Sequence, residues 1–308
     1  MTLDHSTCER ARRSKDPRFD GLFFIGVHST GIYCRPICPA PAPKPENIVY
    51  YPTAAAAAEA GQRPCRRCRP ESAPGSPAWS GTSAVVSRAL MLIRQGALDN
   101  GRLEALAQKL GVGTRHLRRL FQTHLGASPK ALVTTQRILF AQKLLRETAL
   151  PVSQVAFASG FGSIRRFNAA FRKRVGLTPS EFRRPLKNDR SIGASGFRCR
   201  LTLPYRPPYD WPGMLTFFGT RAIPGVESVG KGRYRRTIRM GNTRGTIAVT
   251  HADGEDALVL TTDLTDGGEL MPLVERVRRM FDLDANMAAI QAVLGADPLL
   301  ATVVAAHP

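Results

Sequence analysis

From residue 82 to 184, apolar positions recur three and four apart, the period of helices with one buried face. Past residue 195 the period changes to two. Segments 197–203, 234–238 and 246–251 alternate apolar with polar residues, and 257–261 is strand-like, which predicts an antiparallel sheet. Helical stretches at 212–221, 270–281 and 286–294 make this last third a mixed region. Proline- and glycine-bearing polar stretches at 70–79 and 185–195 read as linkers. The alanines at 54–58 are helix-forming rather than low-complexity filler. No apolar run approaches ~18 residues, and the first thirteen residues are polar and charged, which excludes a membrane span and a signal peptide there. The expected fold class is therefore multidomain α+β. A small four-cysteine domain (1–72) is followed by an all-α double helix-turn-helix domain (82–188) and an α+β domain with an antiparallel sheet (195–308).

Within the helical region one grammar occurs twice, about fifty residues apart. Leu103 to Leu110 is a short amphipathic helix, Gly111-Val-Gly113 a turn, and Thr114 a candidate N-cap for a helix over 115–122. In the second copy, residues 152–159 lead to Gly160-Phe-Gly162, and Ser163 caps a helix over 164–173. A helix over 128–147 joins the two. Leu117, Phe121, Phe167 and Phe171 share the apolar face and are expected in the core. The opposite faces carry Arg115, Arg118 and Arg119 in the first copy and Ile164, Arg165, Arg166 and Asn168 in the second. Arginine reads guanine bidentately and asparagine reads adenine in a major groove, but either residue also serves as a phosphate contact.

Charge strengthens this reading. The formal net charge is +20, and residues 82–184 hold eighteen Lys/Arg against four Asp/Glu. A polyanion is the expected partner, and double-stranded DNA fits the paired helices. The expected location is cytoplasmic, in association with the nucleoid. The region resembles the AraC-type regulator domain, most closely in Val155-Ala-Phe-Ala-Ser-Gly-Phe161 and Phe171-Arg-Lys-Arg-Val-Gly-Leu-Thr-Pro179. That resemblance implies promoter binding and makes RNA polymerase a further candidate partner.

Six cysteines in a chain of 308 residues without a secretory signal do not suggest a disulfide framework. Cys8 and Cys199 stand alone and read as free thiols. The others form Cys34-x3-Cys38 and Cys65-x2-Cys68, separated by 26 residues, a spacing that lets four thiolates converge on one zinc ion (Zn2+). Spacing alone leaves a purely structural zinc site open, and a redox pair as the less fitting alternative.

The flanking residues add to this. Thr30-Gly-Ile-Tyr-Cys-Arg-Pro-Ile-Cys38 with Arg63-Pro-Cys-Arg-Arg-Cys-Arg-Pro70, and Ser14-Lys-Asp-Pro-Arg-Phe-Asp-Gly21 upstream, resemble the N-terminal domain of the Ada adaptive-response family. The resemblance implies one zinc per chain held by Cys34, Cys38, Cys65 and Cys68. It also implies that Cys34 is the acceptor of a methyl group from a DNA methylphosphotriester, an irreversible transfer that each chain performs once. Thr30, Arg35, Arg63 and Arg67 are by motif position the implied DNA contacts. The family often carries an arginine three residues after the second cysteine. Here that residue is Pro41, and Lys44 is a nearby cation.

Leu203-Pro-Tyr-Arg-Pro-Pro-Tyr-Asp-Trp-Pro-Gly-Met-Leu215 and Arg221-Ala-Ile-Pro-Gly-Val-Glu-Ser-Val229 resemble the N-terminal domain of AlkA-type glycosylases of alkylated DNA bases. In that family a helical catalytic domain follows, with a helix-hairpin-helix and an aspartate. No L-P-G-x-G-type hairpin follows Ala288, so glycosylase activity is not expected of these residues. Asp263, Asp266, Asp282 and Asp284 read as turn and cap residues. The leading expectation is a DNA alkylation sensor whose methylated form regulates repair genes. The front portion of a 3-methyladenine base-excision enzyme is the alternative, and a transcription factor with a structural zinc the third.

Overall fold

The computed structural model describes residues 3–74, 84–94, 96–98, 102–183 and 197–306. Half of the first linker (75–79) and all of the second lie outside the described residues.

The chain opens with α1 (His5–Ser14), whose Asp4 cap accepts from the Thr7 backbone N–H. A four-stranded sheet follows, made of β1 (Phe24–Val27), β2 (Ile32–Cys34), β3 (Ile48–Tyr51) and the two-residue β4 (Arg63–Pro64) in the order β3-β1-β2-β4. The alanine run forms α2 (Ala54–Glu59), capped by Thr53, and its small side chains bury against Phe24 and Tyr33 of the sheet.

The helical region comprises α3 (Ala84–Arg94), α4 (Leu103–Lys109), α5 (Thr114–Leu125), α6 (Pro129–Glu147), α7 (Val152–Ala158), α8 (Ile164–Val175) and α9 (Pro179–Phe182). Leu117, Phe121, Phe167 and Phe171 are wholly buried. Each contributes ~1.5–3 kcal/mol by leaving water, which holds both short helix pairs closed. The joining helix starts one residue later than the pattern suggests, with Ser128 as its cap. One cap differs from expectation. Thr114 is the first helical residue, and Gly113 in extended backbone precedes it without a side-chain bond. Ser163 does cap α8, accepting from the Arg166 N–H.

The last unit is a five-stranded antiparallel sheet of β5 (Phe197–Pro204), β6 (Glu227–Gly230), β7 (Arg233–Met240), β8 (Thr243–His251) and β9 (Ala257–Leu264), ordered β5-β9-β8-β7-β6. One face is covered by α10 (Trp211–Gly219) and α11 (Leu270–Met280), with Trp211, Phe218, Tyr234 and Phe281 in mutual ring contact. Two further helices follow, α12 (Met287–Leu294) and α13 (Pro298–Ala306), the second of which the sequence pattern did not predict. Asp284 is not a cap but the ion-pair partner of buried Arg278, at 2.5 Å. Asp263 likewise pairs with Arg198 at 3.0 Å. No helix among the described residues is long and apolar enough to cross a membrane.

The three units touch through buried polar contacts. Thr53 donates to the Leu125 carbonyl at 3.0 Å, and Glu71, with 1% of its side chain exposed, lies 2.7 Å from Arg146 of α6. Glu147 receives the Thr202 N–H from β5 at 2.9 Å. Gly126 ends α5 in the left-handed region, at φ +65°, where an added Cβ would stand 2.9 Å from the Ala56 Cβ. A side chain there meets both backbone strain and a neighbouring unit.

Candidate metal centre and nucleic-acid interface

Two strand ends and two turns build the centre. Cys34 closes β2, Cys38 follows a turn held by its own N–H on the Arg35 carbonyl, and Cys65 and Cys68 lie just past β4. Parallel pairing of β2 with β4 brings the two halves together, reinforced by the Cys65 N–H on the Tyr33 carbonyl at 2.9 Å. All four sulfurs lie within 4.8 Å of one another. Tetrahedral zinc with Zn–S bonds of ~2.3 Å separates its ligands by ~3.8 Å, within that limit, so the donor set fits one ion. Hydrogen bonds among the thiols split their acidities, lowering Cys38 to about 7 and raising Cys34 and Cys68. Four thiols this close keep protons among themselves, and a dication removes the need for them.

The cysteines are not equivalent. Cys65 and Cys68 are buried, whereas Cys34 and Cys38 are half-buried. Backbone N–H groups of Arg67 and Arg35 point at Cys65 and Cys68, at 3.4 and 3.3 Å. Among the described residues no backbone N–H is directed at the Cys34 sulfur.

Thr30 stands exposed on the turn between β1 and β2, Arg63 is exposed on β4, and Arg67 is exposed on the turn between Cys65 and Cys68. Arg63 lies against Gly176 at the end of α8, so it sits between the zinc unit and the second helix-turn-helix. The structure places Arg35 differently. Its guanidinium grips Asp20, with Nε to Oδ1 at 2.8 Å, and donates to the Cys68 carbonyl at 3.0 Å. Its side chain is 12% exposed and that of Asp20 4%, so the cation is satisfied inside the unit. Arg206, from the last unit, donates to the Asp20 backbone carbonyl at 2.9 Å and to that of Asp284 at 3.0 Å. Sequence reasoning missed Asp20 and Arg206, which lie far apart in the chain and carry no spacing signal. Arg66, exposed beside Arg67, was also passed over, although its place between two ligands marks it.

On the helix-turn-helix pair, Arg115, Arg118 and Arg119 of α5 and Arg165, Arg166 and Asn168 of α8 are exposed, and Ile164 is 40% exposed. None of these cations is engaged by a carboxylate among the described residues; Arg119 touches the His116 ring nitrogen at 3.2 Å.

Comparison with known proteins follows this division. The family described as the metal binding domain of Ada matches residues 7–71, a helix-turn-helix domain matches 106–185, and the AlkA N-terminal domain matches 200–308. The probable bifunctional transcriptional activator/DNA repair enzyme AlkA of Mycobacterium tuberculosis is 44% identical over 309 residues, covering 100% of this chain and 62% of its own length. The bifunctional transcriptional activator/DNA repair enzyme AdaA of Bacillus subtilis is 30% identical over 184 residues, 59% of this chain and 84% of that protein. Ada of Escherichia coli, with the same description, is 34% identical over 173 residues, 55% of this chain and 46% of its own. The chain thus spans less than two thirds of the mycobacterial relative that it matches from end to end.

Proposed function

The chain belongs to the Ada family of bifunctional transcriptional activator/DNA repair proteins, and on that premise we propose that it is a stoichiometric methyl acceptor coupled to a promoter-binding unit. The choice of acceptor is supported by the half-buried Cys34 sulfur, at which no backbone N–H among the described residues is directed, and by its place in the Thr30–Cys38 motif. A hydrogen bond to a thiolate stabilises the charged form and lowers its nucleophilicity. Cys65 and Cys68 each receive such a bond from the backbone and are buried, whereas Cys34 is half-buried and receives none among the described residues.

Zinc, when bound, holds the four sulfurs as thiolates at neutral pH, where a free thiol near pKa ~8.5 is mostly protonated. Cys34 Sγ then attacks the methyl carbon of a methylphosphotriester in line with the departing oxygen. The S–C bond forms as the C–O bond breaks, and the phosphodiester leaves with the electron pair. No proton moves, so no general base is required. The product thioether is stable, which makes the transfer irreversible.

The four sulfurs and the ion carry about −2 before transfer and −1 after it. A chain that approaches DNA with one less negative charge is repelled less, and the exposed arginines of α5 and α8 are then free to hold promoter DNA more tightly. Thr30, Arg63 and Arg67 are the contacts we assign to alkylated DNA, with base or phosphate contacts by Arg115, Arg118, Arg119, Arg165, Arg166, Asn168 and Ile164.

Mass spectrometry of the chain after exposure to methylphosphotriester DNA tests this. One added methyl is expected on Cys34 and none in Cys34→Ser; a methyl on Cys38 instead would refute the assignment. A second reading, the front part of a base-excision enzyme, is favoured by the AlkA N-terminal match over residues 200–308 and is tested by release of 3-methyladenine.

A further inference from the structure

The last unit is close to electrically neutral, with thirteen Lys/Arg against twelve Asp/Glu between residues 197 and 306. Its charges are nevertheless segregated. In β7 the buried Tyr234 and Met240 alternate with exposed Arg233, Arg235 and Arg239, and in β5 buried Phe197, Cys199 and Leu201 alternate with exposed Arg198 and Arg200. The pairing register puts all of these on one face. Arg235 lies opposite Ala248, Ala248 opposite Thr261, and Thr261 opposite Arg200. Arg239 lies directly opposite Arg244, so that arginine joins the same face. Six arginines thus stand on the side of the sheet turned away from α10 and α11.

Only Arg198 has a carboxylate partner there, Asp263 at 3.0 Å. For the other five, no ion pair is present among the described residues. The acids Asp253, Glu255 and Asp256 lie on the turn beyond His251, outside the strands. Between the arginines the face carries Thr237, Thr246, Ala248, Thr250, Val259 and Thr261, with Asp263 held by Arg198. Like charges directly opposite each other in a sheet are destabilising, so the Arg239–Arg244 pair is a local cost to folding.

We propose that this arginine face is a third DNA-binding surface, distinct from the zinc unit and the helix-turn-helix pair, which holds the phosphate backbone of duplex DNA without reading bases. Charge complementarity carries the choice of partner. Alternate residues on a strand recur about every 6.8 Å and neighbouring strands lie about 4.8 Å apart, so the face is a two-dimensional lattice of guanidinium groups. From Arg233 to Arg239 is about 20 Å, along which a duplex presents about twelve phosphate charges at one per ~1.7 Å. The threonines between them add hydroxyl donors for phosphate oxygens. A sheet face of regularly spaced arginines and threonines matches a regular row of phosphates, so the contact is assigned to the backbone.

The test is the salt dependence of binding by the full, zinc-loaded chain to a random-sequence duplex several turns longer than the helix-turn-helix footprint. Replacing three exposed residues in Arg233→Thr, Arg235→Thr and Arg239→Thr keeps β-forming side chains in the strand. The slope of log affinity against log salt should become shallower by about 2–3, near 0.9 for each lost phosphate contact. Arg198→Thr with Arg200→Thr, on the opposite edge strand, should give a second decrease. An unchanged slope in both variants overturns the proposal, as does a loss confined to RNA or to an acidic polypeptide probe. Should the triple variant fold poorly, the unaltered chain decides: phenylglyoxal modification of Arg233, Arg235 and Arg239 must be suppressed by the duplex at low salt and restored at high salt. Modification insensitive to DNA overturns the assignment.

Discussion

Replacing Asp20 with asparagine tests whether Arg35 is an internal strut or a DNA contact. In the native unit the Arg35 guanidinium is held by the Asp20 carboxylate at 2.8 Å and by the Cys68 carbonyl at 3.0 Å, with side chains 12% and 4% exposed. Removing one partner of a buried pair typically costs ~3–5 kcal/mol, because the other charge stays behind. Arg35 keeps the Cys68 carbonyl and some exposure, and the asparagine side chain still offers an amide oxygen, so the loss should fall near the lower end, ~3 kcal/mol. At 1.4 kcal/mol per factor of ten this is roughly a hundredfold. Because Arg35 touches Cys68 by both its N–H and its guanidinium, the loss should appear at the metal: zinc passes to excess chelator roughly a hundred times faster, if release proceeds through opening of this unit. Arg35→Met should show the same acceleration, and combining it with Asp20→Asn should cost clearly less than the sum. The salt slope of DNA binding is the second readout. A strut leaves it unchanged in Arg35→Met, whereas a phosphate contact removes about 0.9 from it. Unaltered zinc release in both single variants, or a fallen slope with intact zinc retention, would refute the reasoning.

Burial pushes the Cys8 thiol up to about 11 and the Cys199 thiol to about 12, and both are 3% exposed. Iodoacetamide at pH 8 should therefore leave these two unmodified in the native chain and label them only after denaturation. Glu9 is held below the usual carboxylate range, chiefly by its hydrogen bond to Arg12, with further bonds from Tyr50 and Arg13. Its contribution is present above the unfolded value near ~4.3 and is lost as pH falls through the folded one, so the stability gap to Glu9→Gln should be constant at pH 6–7 and shrink in acid. Residues 1–308 should release no 3-methyladenine from alkylated DNA; sustained release through repurification, measured by chromatography of free bases, would favour the base-excision reading.

Much of this was legible along the chain because it is written in short periods. Two cysteine pairs at three and two intervening residues announce a tetrahedral site, and the burial of Leu117, Phe121, Phe167 and Phe171 follows from their spacing. Alternation found β5, β7 and β8, whose ends run one to three residues further than the pattern, since backbone pairing continues past the alternating stretch. What the chain does not display is polar contact across long separations. Arg35 looks like any basic residue beside a ligand until Asp20, fifteen positions away, is seen against it. Arg206 sits in a run of prolines and aromatic residues that gives no hint of the Asp20 carbonyl, 186 positions away. The cap at Gly113 was missed for a smaller reason: threonine is the better capping residue, and here the backbone entered the helix one position early.

The bond from Arg206 to the Asp20 carbonyl has an evolutionary corollary. Domains joined by gene fusion usually meet through solvated, exchangeable surfaces, and each can be lost or replaced without loss to the other. Here a 2% exposed cation from the third unit is seated on the residue that steadies Arg35 behind the cysteines, and the Glu71–Arg146 pair ties the first unit to the second. A lineage that discards the last unit must supply the Asp20 carbonyl with another donor, and one that changes Arg206 must find a replacement of similar reach. Positions 20, 35 and 206 should therefore vary as a group among relatives that keep all three units, while 71 and 146 should vary together wherever the first two units are present.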